Sequence, residues 1–117
     1  MKTESQEQIE FIQWCKRNAV EYPELDEIFA IPNGGKRHIF TASRMKLEGV
    51  KPGVPDLLLP VQKRGYAGLF IEMKKLDGKL SPAQKKRIPK LRAQGYAVVI
   101  CKGAERAKKL IKSYLNI

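Results

Sequence analysis

Two short apolar runs, Leu57 to Val61 and Gly68 to Met73, stand on either side of Lys63-Arg64-Gly65, and no other feature constrains the chain's fold as much. Each run is too short for a helix and is predominantly apolar, as a buried strand is. A short glycine-ended connection between two such runs predicts an antiparallel hairpin. A third β-rich run, Tyr96 to Cys101, follows later, and Glu27 to Ile31 reads as a short strand ending at Pro32.

The segments between these runs carry helical spacing. From Thr3 to about Asn18, Ile9, Phe11, Ile12, Trp14, Cys15 and Ala19 recur at that spacing, with Thr3 as N-cap and acids in the first turn. Trp14 reads as core beside Phe11 and Ile9. Thr41 to Glu48 predicts a short helix stopped by Gly49, and Ser81-Pro82 opens a basic helix that ends near Gln94-Gly95. Pro89 inside that helix should kink or interrupt it. Gly103 opens a last amphipathic helix with Ala104, Ala107, Leu110, Ile111, Tyr114 and Leu115 as its apolar stripe. The order α, β, α, β, β, α, β, α predicts an α/β fold, a mixed sheet with helices on both faces.

A length of 117 residues fits one small domain, and 43% apolar residues suffice for a single core. No apolar run approaches the roughly 20 residues of a membrane span, and the first residues lack a secretory signal's apolar segment, so the expected location is cytoplasmic. Cys15 and Cys101 are too few for a disulfide framework or a zinc site and read as buried free thiols. The net charge of +11 is unevenly spread, because residues 1–30 carry three basic and seven acidic groups and the remainder twenty and five. A basic excess confined to one part of the chain points to a polyanion, most often nucleic acid. Nothing resembles the phosphate-binding loop of a nucleotide cofactor site.

The chemistry concentrates on the hairpin. Asp56 precedes one strand, while Glu72 and Lys74 lie two residues apart on the other and therefore share a face. Pairing around the 63–65 turn brings Asp56 close to residues 72–74. Clustered carboxylates repel unless a cation lies between them, and oxygen ligands suit a hard ion such as Mg2+ or Mn2+. A lysine beside that ion can orient water or stabilise charge on phosphate, so the trio fits phosphodiester hydrolysis. The basic helix, with Lys85, Lys86, Arg87, Lys90 and Arg92, would hold the nucleic-acid backbone.

Gly53-Val-Pro55-Asp56 followed after fifteen residues by Glu72-Met-Lys74 resembles the PD-(D/E)XK nuclease motif, and the element order agrees with that restriction-endonuclease-like core, αβββαβ. More narrowly, Ile31-Pro-Asn-Gly-Gly35, Gly49-Val-Lys-Pro-Gly-Val-Pro-Asp56, Gly68-Leu-Phe-Ile-Glu-Met-Lys74, Leu80-Ser-Pro-Ala-Gln84 and Gly95-Tyr-Ala-Val-Val resemble the virus-type replication-repair nuclease (VRR-NUC) family. The resemblance implies one VRR-NUC domain over residues 1–117 and a metal-dependent, structure-specific DNA endonuclease. Its stand-alone phage and bacterial members resemble Holliday-junction resolvases and act as homodimers. It further implies Asp56, Glu72 and the Met73 backbone carbonyl as metal ligands, Lys74 as catalytic lysine and Gln84 as a glutamine close to the metal. Glu4-x-x-x-Gln8 resembles the family's helix-one pattern, with Glu4 as a further acid, although Glu7 or Glu10 would take that place if the register shifted.

Each motif also has a plainer reading. Asn33, Gly34 and Gly35 form either a turn or a set of backbone amides that contacts phosphate beside Lys36 and Arg37. His38, the lone histidine, is a surface or packing residue or a DNA contact, and Ser81 is a helix cap rather than a nucleophile. Two other functions fit the same residues: a nuclease acting on flaps or ordinary duplexes, and a basic DNA-binding module with no catalysis.

Overall fold

Thr3 opens the first helix, α1 (Glu4–Asn18), through a reciprocal pair: its hydroxyl accepts from the Gln6 N–H at 3.1 Å, and the Gln6 side chain accepts from the Thr3 N–H at 2.8 Å. In this computed structural model the backbone is described for residues 1–32 and 39–117, and side chains for all of these except 39–41. Phe11 and Cys15, four apart on α1, are buried. A 3-10 turn at Pro23–Glu27 follows, with Leu25 fully buried, and shortens the expected 27–31 strand to β1 (Phe29–Ala30). Proline at the turn's start and acids in its first residues favour a helical turn there, at the expense of extended chain. Helix α2 (Ile39–Leu47) ends before Gly49, whose φ of +102° suits glycine.

The hairpin forms as β2 (Leu57–Leu59) against β3 (Leu69–Lys74), with Leu57 opposite Ile71 and Leu59 opposite Leu69. Its tip is the tight pairing of Lys63 with Tyr66, with Arg64 and Gly65 both at positive φ, 54° and 83°, as a two-residue hairpin turn requires. The tip and the strands differ in register by one residue. Continued from the Lys63–Tyr66 pair, the ladder would place Asp56 opposite Met73, whereas the observed pairing places it opposite Glu72. The spare residue is absorbed in Pro60–Gln62, on the β2 side of the turn.

Helix α3 (Pro82–Ala93) leads from β3 to β4 (Ala97–Lys102), which pairs parallel with β3, and α4 (Ala104–Leu115) closes the chain. The sheet order is β1-β2-β3-β4, antiparallel for the first two pairings and parallel for the last. One face of the sheet packs Leu57, Leu59, Leu69, Ile71 and Met73 against Phe11 and Cys15 of α1 and Ala107, Ile111 and Tyr114 of α4. The other face packs Phe70 and Val98 against Ile88 of α3. The mixed α/β sheet flanked by helices is therefore the architecture, as the element order predicted.

Pro89 does not interrupt α3. Its missing N–H would have bonded to the carbonyl of Lys85, and both residues are exposed, where water replaces the lost partner. Among the described residues no helix is long and apolar enough to cross a membrane.

Candidate active site

The carboxylate of Asp56 is held at the head of the hairpin by the chain itself. Its Oδ2 accepts from the Met73 N–H at 2.8 Å, and its own carbonyl accepts from the Ile31 N–H at 2.7 Å. Across the ladder Glu72 and Lys74 lie on the α3 face of the central strand, 2% and 8% exposed. Such burial is unusual for charged side chains unless they are paired, and here Lys74 Nζ lies 3.4 Å from Glu72 Oε2.

Gln84 meets the same oxygen. Its Nε2 donates to Glu72 Oε2 at 2.8 Å while its Oε1 accepts from the Ser81 N–H at 2.8 Å, and the Ser81 hydroxyl accepts in turn from the Gln84 N–H. The N-terminal capping box of α3 thus aims a side-chain amide at the carboxylate. Ser81 acts as the cap that its position before Pro82 suggested.

Burial is the main force on both carboxyls, and it disfavours their charged forms. The Glu72 carboxyl is pushed up to about 7 by burial and then by the neighbouring Asp56, against the pull of Lys74 and Gln84. Asp56 is also raised, by burial first and then by the negative charge of Glu4, while the Met73 amide and Lys74 oppose the rise. Glu72 Oε1 is buried and has no hydrogen-bond partner. A buried oxygen without a donor is costly. A proton shared with Asp56 relieves the pair in one way, and a divalent cation in the other.

These oxygen donors suit a hard cation in chemistry and in charge. Among the described residues no three acidic, histidine or cysteine side chains already converge as a ligand set, whereas Asp56 and Glu72 lie close enough to act on each other's charge.

The acids of α1 separate by partner. Glu4 is the one whose charge bears on Asp56. Glu7 accepts from the backbone N–H of Ala104, and Glu10 pairs with Lys2 and Lys108. Gln8, one turn beyond Glu4, is half-buried. Glu7's engagement with α4 was not read from the sequence, and the available signal was Gly103, a helix start with no capping side chain of its own.

Behind the site, Gly53 at φ +83° lies so close to α3 that a Cβ would meet the Ala83 carbonyl oxygen at 2.3 Å. The Lys51–Pro55 loop and the start of α3 are therefore in backbone contact, which sets Gln84 relative to Asp56. On α3, Lys85 and Lys86 are exposed and Arg87 is half-buried. Arg92, grouped with them by sequence, instead donates to the Val98 carbonyl at 2.8 Å and ties α3 to β4. Asn33, Gly34, Gly35, Lys36, Arg37 and His38 lie outside the described residues.

Against known proteins, the VRR-NUC domain family model matches residues 2–105. Among solved structures, one described as a VRR_NUC domain protein superposes with a TM-score of 0.84 at 33% identity, covering 98% of this chain and 89% of its own. No curated protein sequence matches significantly.

Proposed function

The chain belongs to the VRR-NUC domain family, a nuclease-type family, and on that premise we propose that it is a Mg2+- or Mn2+-dependent endonuclease that cuts branched DNA. The observation that carries the reading is Glu72, a buried carboxylate with one oxygen unpartnered, set between Asp56 and Lys74. Asp56, Glu72 and the Met73 carbonyl are the groups that would hold the ion, and Glu4, whose charge already bears on Asp56, would join them by moving toward the pair. When bound, the ion supplies positive charge to the scissile phosphate and acidifies water at neutral pH.

The remaining work falls to the protein's own groups. Lys74, whose ammonium is anchored by Glu72, orients the attacking water and offsets the charge that builds on the phosphate oxygens. Gln84 holds Glu72 in place through a side chain that is itself fixed at both ends. The exposed lysines of α3 hold the strand by its phosphates. Residues 1–117 act as one such domain, in the cytoplasm of a bacterial or phage-infected cell. One site cuts one strand, so paired cuts across a four-way junction call for a two-fold homodimer.

The test is cleavage of a four-way junction, a flap and a linear duplex of shared sequence by the parent and Lys74→Ala, with Mg2+, Mn2+ or EDTA. The expected result is metal-dependent cutting of the junction by the parent, a loss of 10²-fold or more, on the order of a missing general acid–base group, in Lys74→Ala, and nearly equal binding by both. Equal cutting of all three substrates would replace the junction preference with a general nuclease. Binding without cutting by either protein would leave a basic DNA-binding module.

A further inference from the structure

We infer that the hollow between Pro52 and the first three turns of α3 is a phosphate subsite, which takes a backbone phosphate of the DNA strand next to the one that is cut. The inference rests on the nuclease reading for its ligand and on separate residues for its evidence. The cavity measures about 320 Å3 and is lined by Pro52, Pro82, Ala83, Lys86, Arg87 and Lys90. Its charged lining is three cations and no acid.

Spacing places these cations on one side of the helix. Lys86 and Lys90 are four apart and Arg87 and Lys90 three apart, so they are surface neighbours, and like charges so placed repel. Among the described residues no ion pair relieves any of them. The fold bears that repulsion without a protein counter-charge, as expected where the counter-charge is the ligand.

Arg87 provides the second observation. Its Nε is buried without a hydrogen-bond partner. In a guanidinium, Nε–H and one Nη–H form a parallel fork that matches two oxygens of a phosphate. An oxyanion seated in the hollow supplies the missing acceptor once the arginine side chain turns its fork toward it, because the Nε is shielded from solvent where it now lies.

Position ties the hollow to the chemistry. Arg87 is three residues beyond Gln84, or about 4.5 Å along the helix axis, and Gln84 bonds to Glu72. Successive phosphates on one strand of duplex DNA advance about 3.4 Å along its axis. The hollow therefore lies within about one helical turn of the residue that bonds to Glu72, so a phosphate held there belongs to the strand near the cut and helps to set which bond lies over Asp56 and Glu72.

The test measures four-way junction binding in EDTA, where no cutting interferes, for the parent, Arg87→Ala, Arg87→Lys, Lys90→Ala and, as a control of equal charge loss on an exposed position of α4, Lys109→Ala. Arg87→Ala and Lys90→Ala are expected to weaken binding about five- to tenfold and to lower the salt slope by about one, and Lys109→Ala to change neither appreciably. Arg87→Lys should fall between parent and alanine, because the charge remains and the fork is lost. A single neutral methylphosphonate linkage near the cut should weaken the parent and cost Arg87→Ala nothing further. If Arg87→Ala does not fold, Lys90→Ala and Arg87→Lys carry the result, because Lys90 is exposed and the lysine keeps the stem. The subsite is overturned if the α3 variants match Lys109→Ala or if the linkage penalty is the same in parent and Arg87→Ala. A parent that shows the expected binding pattern yet never cuts overturns the nuclease reading and leaves the subsite standing.

Discussion

Glu7 on α1 accepts a 2.5 Å hydrogen bond from the backbone N–H of Ala104, the first residue of α4. The start of α4 has only Gly103 at its cap position, at φ +97° and with no side chain to offer. A carboxylate from 97 residues earlier satisfies the exposed amide and places negative charge at the positive end of the helix. Gly103 in turn donates to the carbonyl of Lys74 at 3.1 Å, so the bond links α1, α4 and the end of β3 beside the candidate catalytic lysine.

Removing that cap should therefore cost stability. Glu7→Ala is expected to lose about 1 kcal/mol in urea unfolding, in the range of other lost helix caps, and to melt about 4 °C lower. Glu7→Gln, which keeps an oxygen acceptor and loses only the charge, should recover most of it. Parent-like stability in Glu7→Ala would show that water caps α4 equally well.

The buried Glu72 should make metal-free stability fall as pH rises. Its folded carboxyl titrates near 7, above the ordinary 4.5. Below about 4.5 both folded and unfolded states hold the proton and no penalty exists; between 4.5 and 7 the unfolded chain ionises first and folding weakens; above 7 the penalty is complete. Glu72→Gln should accordingly be more stable than the parent at pH 8, by something on the order of 2 kcal/mol, with the gain vanishing below pH 4.5. Added Mn2+ should raise the parent's melting temperature at pH 8 and leave Glu72→Gln nearly unchanged. A gain of the same size at pH 4 and pH 8 would mean that packing, and not charge burial, separates the two proteins.

Two glycines share a φ of +83° but differ in surroundings, which isolates the effect of close approach. At Gly65 an added Cβ meets nothing within 4 Å, whereas at Gly53 it meets the Ala83 carbonyl oxygen at 2.3 Å. Gly65→Ala should cost about 1 kcal/mol, the backbone penalty alone. Gly53→Ala should cost at least about 2 kcal/mol and, by displacing Gln84, also slow cleavage. Equal costs in paired urea titrations would rule out the close contact as a determinant.

Cys15 and Cys101 are 1% and 0% exposed, and burial pushes both thiols up to about 12. At pH 8 the reactive thiolate is therefore scarce as well as inaccessible. A thiol reagent should label the native protein negligibly and label two cysteines per chain in denaturant. Labelling of the native protein at the rate of a free thiol would mean that the core opens readily.

Local chemistry determined much of this protein. The Lys63-Arg64-Gly65 turn, the caps Thr3 and Ser81, and the two-residue spacing of Glu72 and Lys74 act through neighbours in sequence, and so the α/β order and the shared face of the two charges were legible in advance. Pro89 was not, because its cost depends on whether the orphaned Lys85 carbonyl is reached by water, which burial decides.

Tertiary structure decided what depends on long-range geometry. The one-residue register offset sets Asp56 opposite Glu72 rather than Met73, and it is taken up in Pro60–Gln62, where Val61 packs against the core while Pro60 and Gln62 are exposed. Glu4, Glu7 and Glu10 are equivalent as helix-one acids in sequence, and only the packing of α1 against α4 commits Glu7 to Ala104 and leaves Glu4 to act on Asp56. Arg92 and Arg87 belong to one basic run, yet α3's seat on the sheet turns one to the Val98 carbonyl and leaves the other's Nε without an acceptor. A residue's type and spacing determine what it can do, whereas partners far away in sequence determine which of those options remains open.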